Sequence, residues 1–122
     1  MNVRLKRVYD PPSPSDGTRI LVDRMWPRGV KKEDAHIHHW WKDIAPSPEL
    51  RKWFCHRPEL YDAFRERYRS ELLVNPVQRG KLEELRRLAD EGPVTLVYAS
   101  KDPVYNHARV LLEVVNGIPF PE

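Results

Sequence analysis

Two short β-favouring runs, Ile20-Leu21-Val22 and Val94-Thr95-Leu96-Val97-Tyr98-Ala99, predict an α/β fold, because unbroken apolar or β-branched residues suit strands covered on both faces. Amphipathic stretches of helical period lie between them, so the economical architecture is a small single-domain layered fold with a short, mostly parallel sheet flanked by helices. A length of 122 residues fits one domain able to bury a core without covalent staples.

Residues 3–9 alternate Val3 and Leu5 with Arg4 and Lys6 before Val8 and Tyr9, the pattern of a half-covered strand with an irregular end. Residues 10–17, Asp-Pro-Pro-Ser-Pro-Ser-Asp-Gly, oppose both helix and strand and read as a stiff surface loop. A strand over 19–23 follows, and Pro27 and Gly29 break it into a basic loop that reaches Lys32. In residues 32–44, Ile37, Trp40, Trp41 and Ile44 recur at helical spacing, which predicts a short amphipathic helix or irregular turn. Ser47 as N-cap and Pro48 at the first helical position open a helix to about Cys55 that buries Leu50, Trp53 and Phe54.

Pro58 opens the next helix, with Tyr61, Phe64, Tyr68 and Leu72 on one stripe and Arg65, Arg67 and Arg69 mostly outside it. Asn75-Pro76-Val77-Gln78 combines a capping residue, a proline and an amide three residues after the cap, and starts a helix through Leu82, Leu85 and Leu88 that Gly92-Pro93 closes. After the strand over 94–99, a last helix is expected from about Pro103 to Asn116, with Ala108, Leu111, Leu112 and Val115 inward. The tail, 118–122, is too short and proline-rich for another element. With few aliphatic runs, four Trp, five Tyr and three Phe must supply much of the core.

The 21 basic and 18 acidic residues leave a net charge of +3 with no long basic run, a weak signal for nucleic acid. A single cysteine, Cys55, excludes an intrachain disulfide and suits a reducing compartment. Arg4, Lys6 and Arg7 interrupt the start of the chain, so neither a signal peptide nor a membrane span is expected there, and the expectation is a cytoplasmic protein.

If the strands over 19–23 and 94–99 are parallel neighbours, Asp23, Arg24 and Arg28 face Ser100, Lys101 and Asp102 across one crevice at the strands' C-terminal ends. Arginine forks, a lysine and a helix start near Pro103 describe an anion site, with Asp23 to orient an arginine and His107 as acid or base. The same charges also read as mutual pairing that satisfies loop backbone, and both readings stay open at this level. His36, His38 and His39 invite a metal reading, but no Cys or Glu completes a ligand set, so a solvent-facing cluster is the simpler account and no metal or cofactor is expected. Cys55-His56 is not read as a nucleophile and base, since helical neighbours point about 100° apart.

Longer motifs add to this reading. Residues 21–29 (LVDRMWPRG), 41–47 (WKDIAPS), 49–54 (ELRKWF) with His56, Phe64-Arg65 with Arg67-Tyr68, and 94–102 (VTLVYASKD) with Asn106-His107-Ala108 resemble the YeaO-like bacterial proteins of the DUF488 family. The likeness runs in order over nearly the whole chain; Ser100 stands where Ala is expected and Cys55 where Gly is expected, and the His36–His39 cluster is outside the pattern. The resemblance implies a compact α/β domain and a site made of polar motif residues: Asp23, Arg24, Trp26, Arg28, Lys42, Ser47, Arg51, His56, Lys101, Asn106 and His107. It carries no reaction. The leading expectation is a protein that binds, and as an enzyme would transform, a small anionic ligand that is phosphorylated or nucleotide-like. Arg24, Arg28 and Lys101 would hold the anion, with His107 or His56 for proton transfer and Asp23 as orienter. The alternative is a binding module for single-stranded nucleic acid or a protein partner, using exposed Arg and Trp.

Overall fold

All five residues of the run Val94–Tyr98 are buried, which makes it an inner strand of the sheet. The computed structural model describes residues 2–117. Its strands are β1 (Val3–Arg7), β2 (Thr18–Leu21), β3 (His39–Trp40) and β4 (Val94–Tyr98), in the spatial order β1-β4-β2-β3 and parallel throughout. The helices are α1 (Lys32–Ala35), α2 (Pro48–Phe54), α3 (Tyr61–Val74), α4 (Pro76–Glu91) and α5 (His107–Val115).

The period-two alternation of the strands divides the molecule into two layers. Ile20, Val22, Val94, Leu96 and Tyr98 belong to a large core with Phe54, Phe64, Tyr68, Leu72, Leu85 and Leu111 of α2–α5. Leu21 and Val97 turn to the opposite face, where Val8, Trp26, Val30, Ile37 and Trp40 cover them. That second layer also holds an ion cluster at the N-terminal edge of the sheet. Arg19 is 2% exposed; its Nη1 lies 2.6 Å from Asp16 Oδ2, and its Nε and Nη2 donate to the Ala35 carbonyl. Asp16 thus sits buried in what reads as a surface loop, on a short 3-10 turn over Pro14–Asp16 with Ser13 as its cap. Gly17 follows with φ 65°, packed so tightly on Pro93 that a Cβ would overlap that residue's carbonyl.

Several expected boundaries move. The stretch 32–44 is not one amphipathic element: α1 has four residues and ends at His36, in a left-handed conformation, and β3 then pairs with β2 through hydrogen bonds such as Trp41 N to Leu21 O. Its apparent helical stripe is split, with Ile37 and Trp40 on one face of the sheet and Trp41 and Ile44 on the other. The last helix opens at His107 rather than near Pro103, because Asp102 Oδ1 accepts the Val104 and Tyr105 backbone N–H groups and ties that segment into a turn. Asn106 is its N-cap, accepting from Arg109 N. The amide of Gln78 does not reach back to Asn75 but donates to Ala45 O and Glu71 Oε1. A 3-10 turn over Pro58–Leu60 precedes α3, and the tail at 118–122 lies outside the described residues.

Candidate functional site

The register Leu21↔Val97 sets β2 and β4 side by side, so their continuations leave the sheet together. Asp23 stitches them: its Oδ2 accepts Ala99 N at 2.9 Å, and its backbone carbonyl accepts the Trp40 indole N–H at 2.8 Å. His107 reaches over from the first turn of α5, with Nε2 3.1 Å from Val22 O and 2.9 Å from Asp23 Oδ1. Both neighbours are acceptors, which assigns an N–H to Nε2. Asp23 therefore orients a histidine, not an arginine.

Beyond these strand ends opens a cavity of about 760 Å³. Asp23, Arg24, Trp26, Arg28, Arg51, His56, Lys101, Asn106 and His107, nine of the residues named from the sequence, line it. The other two do not. Lys42 lies over the Trp40 ring, 4.2 Å from its centroid, and Ser47 caps α2 while its hydroxyl donates to Glu71 at 2.6 Å. The Ser47 hydroxyl and backbone N–H are engaged by Glu71, and the exposed Lys42 extends over an indole outside the cavity.

The cavity's charge balance follows from which groups are already engaged. Both wall carboxylates have partners within the protein: Asp23 Oδ2 accepts Ala99 N while its buried Oδ1 lies 2.9 Å from His107 Nε2 without a hydrogen bond, and Asp102 accepts two backbone N–H groups, of Tyr105 and Val104, that hold its pKa below the ordinary 3.8. The side chains of Arg28, Arg51 and Lys101 make no hydrogen bond or ion pair among the described residues. Arg24 donates through Nη2 to Pro46 O at 3.2 Å, which aims its guanidinium and leaves Nη1 unengaged. Three arginines and a lysine thus line a space whose two carboxylates, Asp23 and Asp102, are held by groups of the protein itself.

Pro46 belongs to a strap whose consecutive residues are each gripped by a distant side chain. Tyr68 donates to Ile44 O at 2.6 Å, Gln78 to Ala45 O at 3.0 Å, and Arg24 to Pro46 O. Glu71 accepts from both Ser47 N and Ser47 Oγ, at 2.9 and 2.6 Å. Burial raises the Tyr68 pKa well above its usual 10, so this hydroxyl remains a donor. Asp102 stands in the crevice as the strand order predicts, whereas Glu71, Gln78 and Tyr105 are not among the site residues the sequence points to. For Gln78 the available signal was an amide at a helix start, which reads as a cap.

Cys55 and His56, of which His56 lines the cavity, follow the end of α2 as two consecutive left-handed residues, φ 45° and 55°. The expected helical end at Cys55 is instead a C-cap, a position glycine prefers. Cys55→Gly is expected to stabilise the protein by about 0.5–1 kcal/mol, since it relieves a left-handed non-glycine residue; urea unfolding measures it, and a loss of stability would show that the thiol's packing outweighs the backbone. His36, His38 and His39 do three different things: His36 closes α1, His38 Nδ1 accepts Arg19 N, and His39 stacks on Trp41. Among the described residues no group of three His, Cys, Asp or Glu side chains is placed to hold a metal ion. No described helix is long and apolar enough to cross a membrane.

Each of the four indoles has a cation of its own chain over it: Lys32 on Trp26, Lys42 on Trp40, Lys81 on Trp41 and Arg67 on Trp53. Trp41 is buried and the others are partly so, which leaves no fully exposed tryptophan for a strand to stack on.

The family model DUF488-N3i, described as "Inactive DUF488-N3 subclade", matches residues 2–118. The chain is 50% identical over 118 residues to the uncharacterised protein YeaO of Escherichia coli K12, covering 97% of this chain and 100% of that one. It is 45% identical over 115 residues to uncharacterised proteins of Mycobacterium tuberculosis and Mycobacterium bovis, covering 94% of each chain. No solved structure matches.

Proposed function

The chain belongs to the DUF488 family, within the subclade described as inactive, and from that premise we propose that it binds a small, phosphate-bearing anion without turning it over. The observation that carries this reading is the excess of unengaged cations in the cavity at the C-terminal ends of β2 and β4, the edge where open α/β sheets hold ligands. Arg24 and Arg28 come from the loop after β2, Lys101 from the segment after β4, and Arg51 from α2 on the other side. Arginine forks match phosphate oxygens in pairs, and lysine adds a point charge.

Binding without turnover agrees with the word "inactive" and with the use made of the two groups best suited to proton transfer. Asp23 Oδ2 and the Nε2 of His107 spend their hydrogen bonds on Ala99 N and Val22 O, the backbone just past β4 and β2, and lie 2.9 Å from each other through Asp23 Oδ1, where they hold the site's shape. On this reading the wild-type protein gives a calorimetric titration with pyrophosphate that weakens as salt is added. Arg28→Ala weakens binding at least tenfold, the loss of a hydrogen bond to a charged group. Its stability changes by less than about 0.5 kcal/mol, because that side chain has no partner in the fold and the Tyr9 hydroxyl uses only its carbonyl. Unchanged affinity in Arg28→Ala, or no wild-type binding at millimolar pyrophosphate, would overturn the proposal.

A further inference from the structure

The remainder of the cavity wall bears on what carries the phosphate; this step rests on the anion-binding reading above. A volume of about 760 Å³ falls among sites that enclose whole small molecules, ~300–1,000 Å³. A bare oxyanion would occupy a small part of it. The uncharged lining includes Trp26, Phe54, Phe64 and Tyr105.

Two of these rings are fixed in advance. Trp26 donates its indole N–H to Val30 O at 2.7 Å and meets Trp40 edge-on. Tyr105 is 42% exposed, meets Tyr61 edge-on at 5.1 Å, and is tethered through its backbone N–H to Asp102. The neutral polar groups nearby are poorly placed to bind a bare sugar, whose hydroxyls need free donors and acceptors. Asn106 spends its amide on Asp102 O and Arg109 N, and Ser100 Oγ already accepts Asp102 N. Flat aromatic surface beside unengaged cations is complementary to a flat aromatic group joined to phosphate. We infer that the ligand is a nucleoside phosphate, its base against the aromatic wall with Tyr105 as the exposed platform and its phosphates on the four cations.

The test titrates the full chain with inorganic phosphate, pyrophosphate, ribose 5-phosphate and adenosine diphosphate. Adenosine diphosphate is expected to bind about tenfold more tightly than pyrophosphate, the lower part of what base–aromatic stacking contributes. Ribose 5-phosphate is expected to bind no better than phosphate. Tyr105→Ala removes the adenosine advantage and leaves pyrophosphate affinity unchanged, with circular dichroism checking the fold. Equal affinity for pyrophosphate and adenosine diphosphate, or equal weakening of both by Tyr105→Ala, overturns the nucleoside inference while the anion site stands. Failure of every phosphate to bind overturns both. A free nucleotide and the 5′-phosphorylated end of a single strand share this chemistry, and competition between adenosine monophosphate and a short 5′-phosphorylated oligonucleotide identifies the source by which one displaces bound nucleotide at lower concentration. Displacement by neither overturns the inference.

Discussion

Asp16→Ala is expected to cost about 3–5 kcal/mol, the range found when one partner of a buried ion pair is removed and the other stays. Asp16 Oδ2 lies 2.6 Å from Arg19 Nη1, Oδ1 lies 2.9 Å from Lys6 Nζ, and Oδ2 also accepts Ser13 N. Lys6 can turn to solvent when the carboxylate goes. Arg19 cannot, because it is 2% exposed and the rest of its guanidinium is committed to Ala35 O. The same cluster sets an acid limit. Burial pushes the Asp16 carboxyl up, but hydrogen bonds from Lys6, the Ser13 backbone and Arg19, with the Lys6 charge, outweigh it and bring the pKa from 3.8 to about 2. A folded-state pKa below the unfolded one means the stabilisation is complete above about pH 4 and is lost as pH falls toward 2. Urea unfolding at stepped pH should show that decline in the wild type and a shallower one in Asp16→Ala. A loss under 1 kcal/mol at pH 7 would mean the pair is in effect solvated. The cluster lies at the sheet edge opposite the cavity, so the folded variant should bind pyrophosphate as the wild type does.

Glu71→Ala should disturb both fold and site. Its carboxylate accepts Ser47 N, Ser47 Oγ and Gln78 Nε2, at 2.9, 2.6 and 3.1 Å. Losing these charge-assisted bonds and leaving partly buried donors unmatched is expected to cost about 3 kcal/mol. The strap also carries Pro46, whose carbonyl holds Arg24. A loosened strap gives Arg24 back its rotamer freedom, and pyrophosphate affinity should fall about tenfold at temperatures where the variant is still folded. Glu71→Gln, which keeps one acceptor for Ser47, should recover part of both effects. Wild-type affinity in a destabilised Glu71→Ala would show that Arg24 does not depend on the strap.

Parts of this architecture were legible in the sequence because their physics is local. Val94–Tyr98 reads as an inner strand from its composition, and the stripe Tyr61, Phe64, Tyr68, Leu72 reads as a buried helix face; all four of those residues are buried. β3 was not legible. Two residues form no run, and the apolar neighbours that resembled a helical stripe are shared between opposite faces of the sheet. The start of α5 was misplaced because Pro103 has the form of a first helical residue, whereas Asp102 makes a turn of it and the cap is Asn106. At the site, adjacency of β2 and β4 brings Asp23, Arg24, Arg28 and Lys101 to one edge, and the strand order alone suggested it. That α2 and the turn after it add Arg51 and His56 came only from the family resemblance, since nothing in the spacing sets that helix over the strand ends. Lys42 and Ser47 lie within the same motifs but hold Trp40 and the strap. Asp16 and Arg19 gave no signal, because a Pro- and Ser-rich loop reads as exposed until Thr95 and Ala35 are seen to close over it.

On the proposed reading, Arg28 and Lys101 make no bond within the fold, and Arg24 makes only one, because an anion fills the space between them. The most direct measurement is a crystal structure grown with saturating pyrophosphate. An ordered anion is expected in the cavity between Arg24 and Arg28 on one side and Lys101 on the other, at the ordinary charge-assisted distance of about 2.7–2.9 Å. An empty cavity at that concentration, or these side chains turned apart and paired with protein carboxylates, would contradict it.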